Sequence, residues 1–312
     1  MTGAATWIGG RIVSILEKRP GVDVLAIDEI PPRTTFTSPF TLLDADRTEL
    51  AHHVLDVEPD VVVHLLTVDR SVELGQRRAH GQAVLGIQAV FGAVGRSGSV
   101  RKVVVKSDAA IYPIGPRSPS VLTEAEAARG GSGRYGRELT DLEAVAAAVA
   151  ERHPHVTFTV LRPAPIFGSE VGNPISRYLS LATVPTRLGY DPRLHLIHES
   201  DVIAAFLAAI DRDAAGTFNV AAPGPSYLSR ILRLGRRKAR PLPRRALEQG
   251  RRALAYTGLH LPAHVARMLE HGLVLDTSAI SEQLGFEPGL STRDTVLAGY
   301  GLPVGASNGS GP

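Results

Sequence analysis

The sequence predicts an α/β protein built on a Rossmann-like, doubly wound parallel sheet with a smaller C-terminal substrate lobe, and three observations carry that prediction. Valine-rich apolar runs recur at residues 22–27, 60–66, 102–106 and 156–161, short and unbroken as in strands covered on both faces. Helix signals separate these runs, giving a βαβ rhythm with right-handed crossovers. A glycine-rich turn, Thr2-Gly3-Ala4-Ala5-Thr6-Trp7-Ile8-Gly9-Gly10, opens directly into an apolar helix over residues 8–16.

The elements follow in order. Residues 22–27 predict a strand ending at Asp28, and residues 40–44 a short strand ending at Asp44. Residues 46–55 predict a helix with Asp46 as its N-cap. The run 60–66 is a strand, 79–97 a long helix, 102–106 a strand, 137–152 an alanine-rich helix and 156–161 a strand. After about Gly168 the rhythm loosens into helices at 175–182, 201–210 and 277–284 and a late strand at 217–220. Residues 230–252 are arginine-rich and interrupted by Pro241 and Pro243. The expected division is a core of residues 1–168, a mixed lobe of residues 169–304 with elements returning to the core, and a tail, 305–312, of disordered composition.

At 312 residues the chain has room for one large α/β domain, or a core and a lobe. The lack of cysteine excludes a disulfide framework, a thiol nucleophile and a thiolate metal site. Net charge is only +3 and the basic excess is local, so no nucleic-acid partner is expected. No apolar run approaches the ~18 residues of a membrane span, so the expectation is a cytoplasmic protein with no membrane partner. No histidines or carboxylates have metal-ligand spacing; His52 and His53 are adjacent and diverge on a helix.

The glycine-rich turn has the layout of a dinucleotide site. Gly3 suits a tight turn, Gly9 a close helix approach, and the helix N-terminus offers N–H groups and a positive dipole end to a pyrophosphate. Asp28, 19 residues after Gly9, stands where a carboxylate accepts from the adenosine ribose hydroxyls. That carboxylate would repel a 2′-phosphate, so NAD is favoured over NADP, with nearby Arg33 pulling the other way. Thr6 stands where a middle glycine is usual, so its side chain either crowds the pyrophosphate or donates to it. The turn also starts at the chain's first residues, although a central strand of about five residues should precede it. The first strand is therefore read as truncated, and mass spectrometry of the native protein is expected to find a longer N-terminus.

Further landmarks then line up: Lys106-Ser107-Asp108-Ala109-Ala110-Ile111-Tyr112, Glu124, Tyr135-Gly136-Arg137, Glu143, Leu161-Arg162-Pro163-Ala164, Ile197-His198-Glu199-Ser200-Asp201-Val202 and Phe218-Asn219-Val220. Their order resembles the extended short-chain dehydrogenase/reductase superfamily, in its NAD-dependent epimerase/dehydratase family, over about residues 1 to 300. The runs 103–107 and 184–192 are similar to a bacterial UDP-glucose 4-epimerase-like subgroup in which the active site is not always kept. The resemblance implies cofactor contacts from Gly3, Thr6, Trp7, Ile8, Gly9, Asp28, Asp44 and Leu65, and NAD as the cofactor. It implies a nucleotide-sugar substrate near Glu124, with Arg230 and Arg233 on its diphosphate. It also implies a homodimer formed through the helices at 79–97 and 137–152.

The same resemblance implies a proton relay of tyrosine, lysine four residues later, serine and asparagine. Tyr135 matches the tyrosine, but Leu139, Asp108 and Ala83 stand at the other three positions. A cation lowers a phenol's pKa and an anion raises it, so a tyrosine so placed is expected to be a poor general base. Arg137 lies about 200° around the helix from Tyr135 and cannot substitute. Lys106, two residues from Asp108, shares its strand face, with a solvated charge as the plainer reading. Plainer readings also stand beside the others: Asp44 as a helix cap, His198 as structural, Glu124 as an exposed loop residue, and the arginines as solvated surface.

The expected function is an NAD-binding epimerase/dehydratase-like protein acting on a nucleotide sugar or related small molecule, with the relay mostly lost. The rivals are a non-redox enzyme (dehydration, isomerisation or cyclisation) using Asp108 and Tyr135, and a non-catalytic nucleotide-binding sensor or scaffold.

Overall fold

The computed structural model describes residues 1–43, 48–65, 88–131, 133–256 and 260–304, without the side chains of 48, 128–129 and 251–256. Expectations placed on Asp44, Asp46, Ala83, the first part of the helix at 79–97, the side chains of Arg251 and Arg252, and the tail lie outside the described residues. The strands in chain order are β1 (Ala26–Asp28), β2 (Phe40–Leu42), β3 (Val61–His64), β4 (Lys102–Lys106), β5 (Thr157–Pro163), β6 (Thr183–Arg187), β7 (Arg193–Leu194), β8 (Gly216–Val220), β9 (Ser226–Tyr227) and β10 (Lys238–Leu242).

The first two residues do the work of a strand. Thr2 bridges Ile27 on one side and His64 on the other, both in parallel. Its N–H donates to the Val63 carbonyl (2.9 Å), its carbonyl accepts from Leu65 N (3.1 Å), and Ile27 N donates to the Met1 carbonyl (2.8 Å). The sheet therefore runs β2–β1–(Met1–Thr2)–β3–β4–β5–β8, all parallel. The order reverses between Met1–Thr2 and β3, which is the switch point where such sheets bind ligands. The Met1 ammonium donates to the Leu25 carbonyl at 2.6 Å, and burial lowers its pKa to about 5.

Burial explains the valine runs. Val103 and Val105 face a cluster with Phe91, Val94, Leu142 and Ala146, whereas Val104 faces Ile8, Ile12 and Leu161. Alternate residues of β4 thus fill the two opposite faces of the sheet, as a pleated strand requires. The helix Trp7–Leu16 packs against Glu199–Asp211 on one face, and Gly133–Arg152 covers the other. Lys102, inside a buried strand, sends its ammonium to the Ile210 and Arg212 carbonyls (2.8 and 3.1 Å), where the helix Glu199–Asp211 ends and a cation is favoured.

Several boundaries differ from the sequence expectation. Residues 22–25 are not strand, and β1 pairs with β2 over Ala26–Asp28 alone. The helix predicted from Arg137 begins at Gly133 and so includes Tyr135. The segment read as interrupted by prolines contains β10, which pairs in parallel with β6. Each strand of that two-stranded ribbon has a free edge, where the missing N–H of Pro241 or Pro185 costs little.

Among the described residues, no helix is long and apolar enough to cross a membrane, and no group of three His, Cys, Asp or Glu is placed to hold a metal ion. His195, buried beside β7, accepts from Leu275 N at 3.0 Å. Burial, with a contribution from Arg193, lowers its pKa from 6.5 to about 4. The fold accepts the neutral ring, so this contribution is complete above pH 6.5 and is lost as pH falls toward 4. The expected effect is about 3 kcal/mol of unfolding free energy over that window. Urea unfolding at several pH values, wild type against His195→Gln, checks it; equal acid sensitivity in the two would refute it.

Candidate ligand cleft at the sheet switch point

A cleft of about 350 Å³ opens at the carboxyl ends of β1, β3, β4 and β5. Ala5, Thr6, Trp7 and Ile8 of the glycine-rich turn form one wall, with Ile30 and Arg33 after β1 and Leu65 after β3. Lys106, Asp108, Ala109 and Ala110 follow β4, and Pro165 and Ile166 follow β5. The segment from Glu170 to Ile175, with Arg177, forms the far side, and His260, His264, Val265 and Met268 come from the C-terminal lobe.

The turn is shaped by its glycines. Gly3 has φ +80°, and a Cβ at Gly9 would stand 2.1 Å from the Gly3 carbonyl oxygen. Thr6 is the N-cap of the helix: its Oγ1 accepts from Gly9 N (3.0 Å) and donates to the Gly3 carbonyl (2.8 Å). The Thr6 hydroxyl proton thus goes to the Gly3 carbonyl in this structure. The N–H groups of Trp7 and Ile8 precede the first intrahelical bonds and face the N-terminal side. Asp28 is fully buried and off the cleft wall, its carboxylate accepting from Ala5 N (2.7 Å) and Glu29 N (2.6 Å).

Asp108 lies in the cleft, where it caps the short 3₁₀ helix Ala109–Ile111 by accepting from Ala110 N at 2.8 Å. Tyr135 is half-buried near the start of the helix Gly133–Arg152, its ring 4.9 Å from that of His264. Leu139 is sealed in the core, so no polar group occupies the position four residues after Tyr135.

The candidate substrate residues are placed elsewhere. Glu124 neither lines the cleft nor stands exposed: its Oε1 accepts from Asn219 N (2.8 Å) and its carbonyl accepts from Arg162 (2.8 Å). Arg230 and Arg233 are exposed on the helix Leu228–Leu234 and do not line the cleft. Among the described residues the arginines and lysine that line the cleft are Arg33, Lys106 and Arg177. His198 is a helix N-cap, its Nδ1 accepting from Ser200 N at 3.3 Å. Arg177, Glu170 and His264 escaped the sequence reading. A local signal existed for Arg177, since Asn173-Pro174 is a cap followed by proline at N1, but none pointed from His264 to Tyr135.

Fold and cleft define a Rossmann-like α/β protein with a cleft at the topological switch point. Residues 1–221 match the model of the NAD dependent epimerase/dehydratase family, and the chain belongs to that family. An uncharacterised protein of Mycobacterium tuberculosis is 32% identical over 316 aligned residues, covering 97% of this chain and 84% of that protein. UDP-glucose 4-epimerase from Thermotoga maritima, solved with UDP-glucose, is similar with TM-score 0.72 and 18% identity over 96% of both chains. The UDP-Glc/GlcNAc 4-epimerase of Campylobacter jejuni gives 0.73 and 16%, covering 96% of this chain and 97% of that one. MoeE5, solved with UDP-glucuronic acid and NAD, gives 0.71 and 21% over 96% of both. At these identities the likeness is one of fold.

Proposed function

We propose that the chain binds a nicotinamide dinucleotide, NAD before NADP, along the turn from Gly3 to Gly9, and a nucleotide sugar or related small molecule in the cleft beyond it. We propose equally that it does not pass protons through a tyrosine–lysine pair. The observation that carries both halves is the cleft itself: a helix N-terminus and four strand ends converge on it, while Leu139 stays in the core. Trp7 and Ile8 N–H groups suit a pyrophosphate. Asp28 ends β1 with its carboxylate on the Ala5 and Glu29 amides beside the turn, the position where a carboxylate meets ribose hydroxyls. A bound dinucleotide would supply a hydride acceptor. UDP-sugar epimerases and the NAD-containing MoeE5 share the fold, which supports this choice of ligands.

Asp108 in the cleft favours a second reading, a non-redox acid–base enzyme on the same ligand class. Calorimetric titration with NAD, NADH and UDP-glucose separates these. Micromolar binding of a dinucleotide is the expected result. Binding of UDP-glucose alone would favour the non-redox reading. Binding of none by a folded sample would overturn the proposal and move attention to the exposed arginines as an interaction surface.

A further inference from the structure

The helix Ala263–His271 runs its first turn against the start of Gly133–Arg152, so closely that a side chain at Gly133 would touch Ala263 at 3.7 Å. His264 therefore lands on Tyr135, ring centroids 4.9 Å apart and planes tilted by 44°. The contact is fixed on the other side, because Val265 and Met268 of the same helix are buried in the core. His264 is half-buried and lines the cleft together with Asp108 and Lys106 from the end of β4.

The chemistry of these side chains divides the labour. Proton transfer is most effective when the carrier's pKa lies near the working pH, and an imidazole is the side chain that ordinarily titrates there. A phenol ordinarily titrates near 10 and needs a neighbouring cation to act as a base. A lysine four residues along the helix would be that cation, and Leu139 is not one.

We infer that His264 is the acid–base group of this cleft, with Tyr135 holding its ring in place. The inference rests on the proposed reading of the cleft as a ligand site. With a ligand in the cleft, the neutral imidazole takes up a proton from solvent and, as the imidazolium, donates its N–H to a ligand oxygen. The imidazolium shares the cleft with the Asp108 carboxylate and returns the proton to solvent when the ligand leaves. The other titratable groups that share the cleft are Lys106 beside Asp108, His260 just before the helix, and Glu170 and Arg177 across the opening.

The test is proton exchange on binding. UDP-glucose is titrated into the full chain with NAD present, near pH 6.5, the ordinary midpoint of histidine, in two buffers of different ionisation enthalpy. Wild type and His260→Gln are expected to exchange protons with the buffer. His264→Gln is expected to lose that exchange and, with it, the pH dependence of affinity around pH 6.5, which removing a histidine that only packs would leave in place. His264→Phe, which keeps a ring against Tyr135, covers a loosening of the helix by glutamine. Proton exchange that persists in both His264 variants, or is absent from a wild type that binds, overturns the inference alone. A wild type that binds neither ligand overturns the cleft reading and this inference with it.

Discussion

Replacing Arg162 with alanine is expected to lower the unfolding free energy by roughly 3–5 kcal/mol, because it breaks a buried ion pair from one side. Arg162 holds Glu143 through two parallel bonds, Nε to Oε1 at 2.9 Å and Nη2 to Oε2 at 2.5 Å. Its Nη1 also donates to the Tyr112 hydroxyl (3.0 Å) and the Glu124 carbonyl (2.8 Å). Only 6% and 12% of the Arg162 and Glu143 side chains are exposed, so water cannot replace the lost partner cheaply. Burial alone would lower the guanidinium pKa, but the bonds and charge of Glu143 outweigh it and raise the value. Alanine would leave the Glu143 carboxylate with the Ser107 hydroxyl (2.5 Å) and no cation. Urea unfolding measures the loss. Glu143→Gln, which keeps the shape, should cost less, and the double variant Arg162→Met with Glu143→Leu should recover part of it. A single-variant loss below about 1 kcal/mol, the level of an exposed pair, would sink this account.

The same network reaches the cleft. Ser107, bonded to Glu143, directly precedes Asp108. The Tyr112 hydroxyl donates to Asn219 Oδ1 at 2.5 Å, and burial pushes its pKa up to about 12. The Asn219 amide then donates to the Leu122 and Asp276 carbonyls (3.2 and 3.0 Å). The outlet of β4, the loop before Glu124, the end of β5 and the end of β8 are thus held in one set of bonds. Asp108 is presented to the cleft by that frame, so Glu143 and Glu124 act on structure rather than on a ligand.

What was legible in the sequence follows from how local each cause is. The runs around Val103–Val105 announce a doubly covered strand because burial on both faces demands it of every residue. Asp108 was singled out by the resemblance, at the family's serine position just after β4, while its role as a cap emerged only in the structure. The extent of β1 was not legible, since it is decided by pairing with β2, which takes in only Ala26–Asp28. β10 was hidden by Pro241, whose cost depends on which edge its nitrogen faces. The cleft was least legible. His264 and Tyr135 are more than a hundred residues apart, and only the docking of two helices joins them. Arg230 and Arg233 were conspicuous by charge density, but helix Leu228–Leu234 presents them to solvent, while single cations at 33, 106 and 177 reach the cleft.

Gly9→Ala is expected to abolish measurable dinucleotide binding and to lower stability by at least about 1–3 kcal/mol, the usual cost of forcing an extra methyl into a packed site. The new Cβ would stand 2.1 Å from the Gly3 carbonyl oxygen and 2.8 Å from Thr6 Oγ1. The first of these is backbone at φ +80°, already committed to Ile27 through the Gly3 N–H (3.0 Å), so it cannot swing aside without dragging the sheet. Relief must therefore come from the turn itself, which would push Trp7 and Ile8, and with them the N–H groups offered to a pyrophosphate, out of line. Gly10→Ala makes a sharp comparison. Its Cβ would stand 2.6 Å from Thr34 Cβ, so the loop around Thr34, outside the turn, must shift instead of the turn itself. Gly92→Ala, in a helical stretch with nothing within 4 Å, should be neutral or stabilising. Thermal unfolding and NAD titration of the three variants give the order: Gly9→Ala damaged in both, Gly10→Ala less so, Gly92→Ala in neither. Wild-type affinity in Gly9→Ala would mean that the turn is not where the dinucleotide lies.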